Sequence, residues 1–211
     1  MDKQSLSERD ICTKYITPSL ERSGWDIQTQ IREEVTLTHG RIIVRGTMHK
    51  RGRKKRADYI LSYKRNIPIA VIEVKDNTHS VSSGMQQALQ YAEMIDVPFV
   101  YSTNGSGFIE HDRTGSSGVV EQEIGLEHFP SPETLWNRYC VWKGLDQESR
   151  AVVEQDYFVD SSGKIPRSFQ LQAINRSVEA IATGRERILL VMATGTGKTY
   201  TAFQIIWRLW K

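Results

Sequence analysis

The sequence predicts an α/β fold in which a mixed central β-sheet is flanked by helices. Two runs rich in Ile, Val and Tyr, near residues 57–63 and 68–75, flank a short polar turn, as in a buried β-hairpin. A helix follows over about residues 82–95, with Ser82 or Ser83 as its cap, and a strand over 97–105. We therefore expect a helical crossover connecting strands of one sheet.

Elements on either side of the hairpin extend this prediction. Residues 5–23 have the apolar spacing of a helix, which Pro18 should kink or interrupt. The stretches "RIIVRGT", residues 41–47, and "GFIEHDR", residues 107–113, are typical of strands. A short connecting helix is expected after Pro132.

A change of pattern after residue 145 predicts a second domain. We assign residues 1–150 to the first domain, 151–165 to a linker and 166–211 to the beginning of another domain. In this last segment a helix, an apolar strand over 187–192, a glycine-rich loop and a second helix are expected in that order.

Composition limits the class of protein. Of the 211 residues 39% are hydrophobic and 25% charged, with a net charge of +3, as in typical globular proteins. The longest apolar run, residues 188–193, is far shorter than the roughly 18 residues of a membrane span. The polar N-terminus lacks the apolar centre of a signal peptide. Cys12 and Cys140 form no paired motif, so we expect neither a disulfide framework nor a zinc site, and a cytoplasmic location.

A cluster of cations precedes the hairpin. Six of the seven residues of "KRGRKKR", residues 50–56, are Lys or Arg. A solvated loop is the simpler interpretation. A loop that contacts phosphates is the more specific one, because clustered cations displace counterions from a nucleic-acid backbone. Its position just before Asp58 favours the second interpretation, and both stay open.

Two acids in the hairpin predict a metal site. With the turn at Arg65-Asn66, residues that face each other have numbers summing to 131, so Asp58 faces Glu73. Two neighbouring carboxylates in a sheet repel each other unless a cation lies between them. Mg²⁺ suits a sparse site of carboxylate oxygens, and we expect it to be bound by Asp58 and Glu73.

Lys75 extends this acidic pair. It lies two residues after Glu73 and therefore emerges on the same face of the strand, where it can assist an attacking water or steady a developing phosphorane charge. Val71, Ile72 and Val74 make both faces of this strand apolar, as in a central strand. The alternative is that Glu73 and Lys75 protrude at a strand end while Asp58 caps a loop.

The next helix adds an amide and a phenol. Gln87 and Tyr91 are four residues apart and share one helical face. The order Asp58, Glu73-x-Lys75, Gln87-x-x-x-Tyr91 resembles the PD-(D/E)XK nuclease superfamily, in particular the branch with a Q-x-x-x-Y motif seen in RecB-type nucleases and type I restriction subunits. The resemblance implies a restriction-endonuclease-like fold and Mg²⁺-dependent DNA cleavage. In that reaction Asp58 and Glu73 hold the metal, Lys75 assists the water, and Gln87 and Tyr91 position the groups around them.

Two positions depart from the superfamily pattern or leave it open. Ala57 stands where the superfamily's name has Pro. The family often carries an acid on the first helix, and Glu21 is the candidate for that place.

A glycine-rich loop predicts a phosphate-binding site. In "MATGTGKTY", residues 192–200, the Gly195-Thr196-Gly197 backbone can turn its N–H groups towards phosphates, and the following helix adds its positive end. Lys198 is expected to reach the β- and γ-phosphates and Thr199 to bind Mg²⁺. The match is to the G-x-x-x-x-G-K-T form, except for Met192 at its first position.

Upstream, "PRSFQLQAI" resembles the Q motif of superfamily 2 helicases and translocases. The resemblance implies that Phe169 stacks near the adenine of ATP and that Gln170 reads its edge, with Arg167 nearby. Residues 166–211 thus resemble the opening of a RecA-like motor domain. Because the chain ends at Lys211 without a downstream acidic motif, we do not expect ATP hydrolysis by this chain alone.

A nuclease domain followed by a superfamily 2 motor resembles the restriction subunit of type I restriction enzymes. The resemblance implies ATP-driven translocation of duplex DNA, cleavage away from the recognition site, and methyltransferase and specificity subunits as partners. One alternative is a DNA motor whose N-terminal domain is a non-catalytic DNA-binding module. Another is a stand-alone nuclease with an unrelated tail, which leaves Gln170 and Lys198 without a role.

Overall fold

A six-stranded mixed sheet forms the centre of the structure. The computed structural model describes residues 6–37, 42–45, 48–51, 55–116, 118–161, 163 and 165–210, with the backbone only for 42–45 and 48–51. Its strands are β1 (Ile31–Leu37), β2 (Ile42–Arg45), β3 (Met48–Arg51), β4 (Lys55–Lys64), β5 (Ile67–Val74), β6 (Phe99–Thr103), β7 (Phe108–Asp112) and β8 (Glu121–Ile124). The large sheet has the order β1-β4-β5-β6-β7-β8, and β2 and β3 pair separately. Only β5 and β6 run parallel, so the α/β prediction with a mixed sheet is confirmed.

Helices cover both faces of this sheet. They are α1 (Glu8–Ile11), a π-helical segment (Cys12–Ile16), α2 (Thr17–Arg22), α3 (Met85–Ile95), α4 (Pro132–Lys143), α5 (Gln147–Val153), α6 (Ser168–Ala182) and α7 (Lys198–Trp210). None of the helices within the described ranges combines the length and apolarity needed to cross a bilayer.

The N-terminal helix accommodates its proline by a change of helical pitch. The Thr17 N–H donates to the Cys12 carbonyl, five residues back, as in a π-helical turn. Pro18, which has no N–H to donate, then lies in the first turn of α2, directly after this π-helical segment. The predicted irregularity at Pro18 therefore takes the form of a π-helical segment just before it.

The hairpin of β4 and β5 has the predicted register. Tyr59 pairs with Ile72, Ile60 with Val71 and Leu61 with Ala70, and the ladder becomes irregular only between Leu61 and Lys64. Strand β5 is central, between β4 and β6. Its side chains reach both apolar cores, with Ile72 and Val74 in one and Val71 in the other, as the run of hydrophobic residues on both faces predicts.

The two cores lie on opposite faces of the sheet. On one face Val71 and Val100 pack with Ala88 of α3. On the other, Ile72 and Tyr101 belong to a larger core formed with the N-terminal helix and α4. Helix α3 is the crossover between the parallel strands β5 and β6, and it begins at the strand end that carries Glu73.

Several elements differ from the prediction. Strands β1, β3 and β8 and helix α5 were not predicted from the sequence. Helix α3 begins at Met85 with Gly84 as its N-cap, so the serine caps predicted at Ser82 and Ser83 are wrong. Because the Gly84 N–H is held by a neighbouring strand, the helix start is set by tertiary contacts.

The strand predicted over residues 187–192 is also wrong. These residues have no strand assignment, and Leu189 and Val191 are 87% and 88% exposed. Apolar β-branched runs form stable strands only beside a hydrogen-bonding neighbour. No strand of the described residues pairs with this segment.

Helix α6 packs against the first domain. Ile174 and Val178 are fully buried in the larger core, together with Val153 and Tyr157. The Tyr139 hydroxyl donates to Glu179, and Lys143 Nζ lies 3.1 Å from the same carboxylate. The limits 1–150, 151–165 and 166–211 stay a prediction, but α5 crosses the first of them and the buried Tyr157 lies within the predicted linker.

Alanine at the tip of the hairpin tests the turn that sets the β4–β5 register. Asn66 has φ 69°, in the left-handed region that Asn and Gly tolerate. Asn66→Ala should lower the free energy of unfolding by about 1 kcal/mol. Asn66→Gly is the matched control, since it keeps access to this backbone conformation. Urea unfolding of the three proteins measures the difference, and equal stability of the Ala and Gly variants would contradict this view of the turn.

Candidate functional site

Asp58 lies where the sheet opens. In β1 the pairs Glu33–Tyr59 and Val35–Ala57 flank a break at Glu34, which has φ 50°. On the other side, Asp58 Oδ2 accepts a 2.7 Å hydrogen bond from the Val74 N–H of β5. The side chain thus replaces a ladder contact between the strands. Burial raises the pKa of Asp58, while the hydrogen bond from Val74 and the charge of Lys75 counteract that rise.

Glu73 is a buried carboxylate beside Asp58. Its side chain is only 3% exposed, and Oε1 accepts a 2.6 Å hydrogen bond from Lys75 Nζ. With both carboxyls ionised, Oε2 is buried and receives no hydrogen bond from any residue that the structure describes. Burial, and then the charge of Asp58, raise the pKa of Glu73 to about 7. A shared proton or a cation would relieve this repulsion.

Lys75 connects the two acids to the N-terminal helix. Its ammonium group, 20% exposed, lies 2.6 Å from Glu73 Oε1 and 3.6 Å from Glu8 Oε1. Burial opposes the charged form of Lys75, but the hydrogen bond to Glu73 and the charges of Glu73, Glu8 and Asp58 together outweigh it and raise the pKa. Its N–H donates to the Thr103 carbonyl at 2.8 Å, which fixes the backbone just beyond β5.

Gln87 and Tyr91 face the acids from α3. Gln87 Nε2 donates to the Tyr91 hydroxyl at 2.6 Å, one helical turn away. Burial raises the pKa of Tyr91, the hydrogen bond from Gln87 lowers it, and the charges of Glu73 and Asp58 raise it further. The structure therefore brings all five predicted catalytic residues to one place, where their catalytic roles stay predictions.

The helical acid nearest to this site is Glu8, and not Glu21. Glu21 is exposed near the end of α2. Glu8 begins α1, contacts Lys75 and adds its charge to those that raise the pKa of Asp58. A sequence signal for this position exists: Ser7 and Asp10 form a capping box, which fixes the start of the helix one residue before Glu8.

The donors present fit a hard divalent cation. No group of three or more His, Cys, Asp or Glu in the described part of the chain is arranged to hold a metal. The orphaned oxygen of Glu73 beside Asp58 nevertheless offers two carboxylates, and Mg²⁺ commonly binds through one or two carboxylates while keeping several waters. Asp58 and Glu73 are therefore the residues that can hold it.

A cleft of about 630 Å³ opens in front of Asp58, between α1 and the strands β1 and β4. Arg9 and Arg56 lie on its rim together with Glu34, whose carboxylate is 3.4 Å from the Arg56 guanidinium. Of the basic run 50–56, only the side chains of Lys55 and Arg56 are described, and Lys55 donates to Gln90. The backbone of residues 50 and 51 belongs to strand β3 and not to a loop, and residues 52–54 of the run lie outside the described residues.

The glycine-rich loop is joined to the Q-like motif by one glutamine. Gln170 Nε2 donates to the Thr196 carbonyl at 2.9 Å, and Gln170 Oε1 accepts from the Arg167 N–H at 2.9 Å. Gly197 has φ 87°, and a Cβ there would lie 2.5 Å from Gln170 Nε2, so both the backbone and the close approach require glycine.

The remaining residues of the predicted nucleotide site surround this loop. Gly195 has φ 75°, Lys198 opens α7, and its Nζ donates to the Met192 carbonyl at 3.0 Å. Thr199 is exposed and Phe169 is half-buried. The loop conformation and the helix start are as the motif predicts, while nucleotide binding itself stays a prediction.

Family models match most of the described chain. Residues 27–122 match the family described as "Type I restriction enzyme R protein N terminus", and residues 164–211 match "Type III restriction enzyme, res subunit". The first match covers the sheet with the acidic pair, and the second covers the Q-like motif and the glycine-rich loop.

Similar proteins are restriction subunits. The chain is 54% identical over its whole length to the type I restriction enzyme EcoAI endonuclease subunit of Escherichia coli, of which it covers 26%. It is 27% identical over 72% of its length to the EcoKI endonuclease subunit of E. coli strain K12, of which it covers 16%. A fragment structure described as an HsdR subunit of a type I restriction enzyme from Vibrio vulnificus YJ016 matches 97% of this chain and 38% of that one, with 44% identity and a TM-score of 0.81.

These similarities place the chain among restriction enzyme subunits. More specifically, the chain belongs to the R (HsdR) subunits of type I restriction enzymes, of which it corresponds to an N-terminal region. It spans about a quarter of the length of the EcoAI subunit.

The raised pKa of Glu73 leads to a pH-dependent stability. Because its folded value of about 7 exceeds the ordinary 4.5, folding retains a proton that the unfolded chain releases. This contribution is complete below pH 4.5 and is lost as the pH rises to about 7. Without divalent ions, the wild type should lose up to about 3 kcal/mol across this window relative to Glu73→Gln.

Urea unfolding between pH 5 and 8 measures this difference. Glu21→Gln is the control, since it removes an exposed carboxyl far from Asp58 and should follow the wild type. A constant difference between wild type and Glu73→Gln across the window would contradict the raised pKa.

Proposed function

We propose that the chain is the endonuclease portion of a type I restriction subunit, which hydrolyses DNA phosphodiester bonds with Mg²⁺. The observation that carries this proposal is the buried Glu73 carboxylate, with one oxygen on Lys75 and the other left beside Asp58 without a donor. Burying two repelling acids is unfavourable unless a cation or proton is bound there. A nuclease site that recruits Mg²⁺ accounts for that arrangement.

The reaction follows from the side chains around the acids. When bound, Mg²⁺ would supply charge stabilisation for the attacking water oxygen, which bonds to phosphorus, and for the leaving oxygen, whose bond to phosphorus breaks. Once Glu73 serves as a metal ligand, the Lys75 ammonium can turn from Glu73 to the attacking water and to the charge that develops on the phosphate. Glu8, 3.6 Å from Lys75, holds this ammonium near the site from the other side.

Tyr91 and Gln87 face the acids from helix α3. Because the Tyr91 oxygen accepts a hydrogen bond from Gln87 Nε2, the Tyr91 proton remains available for another acceptor. We propose that this acceptor is a non-bridging phosphate oxygen of the DNA. The cleft in front of Asp58 would admit the strand, with Arg9 and Arg56 at its rim contacting neighbouring phosphates.

The C-terminal segment is proposed to bind ATP with Mg²⁺. The Gly195-Thr196-Gly197 loop at the start of α7 offers backbone N–H groups to the phosphates, with Lys198 and Thr199 beside them. Phe169 would stack on the adenine and Gln170 would read its edge. In the complete subunit, we propose, ATP hydrolysis drives translocation of duplex DNA and is coupled to cleavage.

The proposed partners follow from the class of complex. The E. coli relatives are endonuclease subunits of type I restriction enzymes, which implies assembly with other subunits. We propose methyltransferase and specificity subunits as these partners, duplex DNA as the substrate and the cytoplasm as the location.

One specific contact also fits a second candidate function. The 2.6 Å pair of Lys75 and Glu73 could serve only to neutralise a buried acid. The first domain would then be a non-catalytic DNA-binding module of a DNA motor. The two functions differ in what happens when the acids are removed.

Alanine in place of either acid tests the nuclease. Asp58→Ala and Glu73→Ala in the complete subunit, assembled with its partners, should lower DNA cleavage by about 10³-fold or more, because several kcal/mol of transition-state stabilisation depend on the metal. ATP hydrolysis by the same assemblies should stay at the wild-type level. Linearisation of a plasmid that carries the recognition site, and phosphate release, are the two measurements.

The two helical acids provide matched controls for this experiment. Glu21→Gln should cut at the wild-type rate, whereas Glu8→Gln should cut about 10-fold more slowly, since it removes a partner of Lys75. Undiminished cutting by both Asp58→Ala and Glu73→Ala would exclude the nuclease and favour the binding module.

Alanine at the glycine-rich loop tests the motor. Lys198→Ala in the complete subunit should abolish DNA-stimulated ATP hydrolysis, because the β- and γ-phosphates lose their cation. Lys143→Ala is the control: it removes a lysine that contacts Glu179 and the rings of Tyr139 and Trp142, and it should leave turnover in place. Wild-type turnover by Lys198→Ala would refute the role of the loop.

A further inference from the structure

The start of α3 is fastened to the strand beside Glu73 by one buried hydroxyl. Ser102 of β6 is the parallel partner of Glu73 in β5 and is fully buried. Its Oγ donates to the Val81 carbonyl at 2.6 Å and accepts from the Gly84 N–H at 3.1 Å. A single side chain therefore holds both the loop before α3 and the N-cap of that helix.

Gly84 leaves room for the Glu73 side chain. Its φ of −83° is open to every residue, so the backbone conformation does not require glycine. The available space does require glycine, because a Cβ at this position would lie 2.9 Å from Glu73 Cγ, 3.0 Å from Ser102 Oγ and 3.3 Å from Glu73 Cβ. Both Glu73 atoms belong to a side chain that is only 3% exposed, and neither is at its flexible end.

The close approach of Gly84 to the Glu73 side chain limits the direction in which the Glu73 carboxylate points. One carboxylate oxygen is bound to Lys75, which is itself half-buried and shared with Glu8, and the other has no donor. Hydrogen bonds thus fix the carboxylate only on one side. The contact of its methylene groups with the Gly84 backbone supplies the constraint on the other side.

The same contact sets the distance between strand and helix. Gln87 lies three residues after Gly84, so it is carried by the first turn of the helix that Ser102 anchors. A displacement of the N-cap would move Gln87, and through it Tyr91, relative to Glu73. None of these contacts involves Asp58 directly.

We propose that Gly84 and Ser102 are positioning residues, which aim the Glu73 carboxylate at the divalent cation and set the spacing between Glu73 and the Gln87–Tyr91 pair. The inference deepens the proposed nuclease function and rests on it. Residues that orient metal ligands from behind typically change metal affinity or activity by about 10- to 100-fold when replaced.

Mn²⁺ binding to the chain tests this proposal without relying on cleavage. Free Mn²⁺ is measured by electron paramagnetic resonance for the wild type, Gly84→Ala and Ser102→Ala. We expect both variants to bind Mn²⁺ about 10- to 100-fold more weakly. In the assembled enzyme, cleavage should fall in kcat at saturating DNA, with little change in KM.

Matched controls separate positioning from loss of packing. Gly125→Ala places a methyl group at a glycine with φ −68° whose nearest neighbour is 3.4 Å away. Ser19→Ala removes another fully buried hydroxyl, which donates to the Leu126 carbonyl. Thermal unfolding reports the loss of stability in each variant. Both controls should keep the Mn²⁺ affinity of the wild type.

Each outcome decides the question. Wild-type Mn²⁺ affinity in Ser102→Ala, or a loss no larger than that of Ser19→Ala, would overturn the proposal. Ser102→Ala introduces no clash, so it keeps the test decisive if Gly84→Ala does not fold. Mn²⁺ binding that survives Glu73→Ala would instead show that the proposed metal site is wrong, and the positioning role would fall with it.

Discussion

The repulsion between two carboxylates inside a sheet is the constraint around which this structure is arranged. Asp58 and Glu73 come from adjacent strands, and neither is free to turn into solvent. Asp58 accepts a hydrogen bond from the Val74 N–H, and the Glu73 side chain is only 3% exposed. A fold can keep such a pair only if something positive is near. Lys75 supplies part of the compensation, which leaves one oxygen of Glu73 for a ligand.

The surrounding elements can be understood from that requirement. The left-handed Glu34 interrupts β1 opposite Asp58 and opens the sheet there, so that Asp58 faces a cleft. Helix α1 begins with an acid that shares Lys75, and α3 begins where Ser102 holds it. Backbone strain of this kind costs about 1–3 kcal/mol and persists where the surrounding structure imposes it, often at functional sites.

Much of the site could be predicted because its signals are local. The turn at Arg65-Asn66 sets the register of the hairpin, and a four-residue spacing sets the shared face of Gln87 and Tyr91. Glu8 was missed because the capping box of Ser7 and Asp10 marks only where the helix starts, and no sequence pattern states that this turn meets Lys75. The role of Ser102 depends on the parallel pairing of β5 with β6, which are separated in sequence by a helix. Neither the spacing of apolar residues nor their secondary-structure propensity specifies that pairing. The strand expected over 187–192 failed for the related reason that strands need neighbours.

Helix α6 contacts several elements of the sheet domain. Ile174 and Val178 complete the core of the sheet domain, while Arg176 pairs with Asp96 at the end of α3, and Asn175 donates to the carbonyl of Asn66 at the hairpin turn. The helix that starts at the Q-like motif thus touches the ends of two elements that carry the acids and the Gln87–Tyr91 pair. A displacement of α6 would therefore be transmitted to the hairpin turn and to the end of α3 through these two contacts.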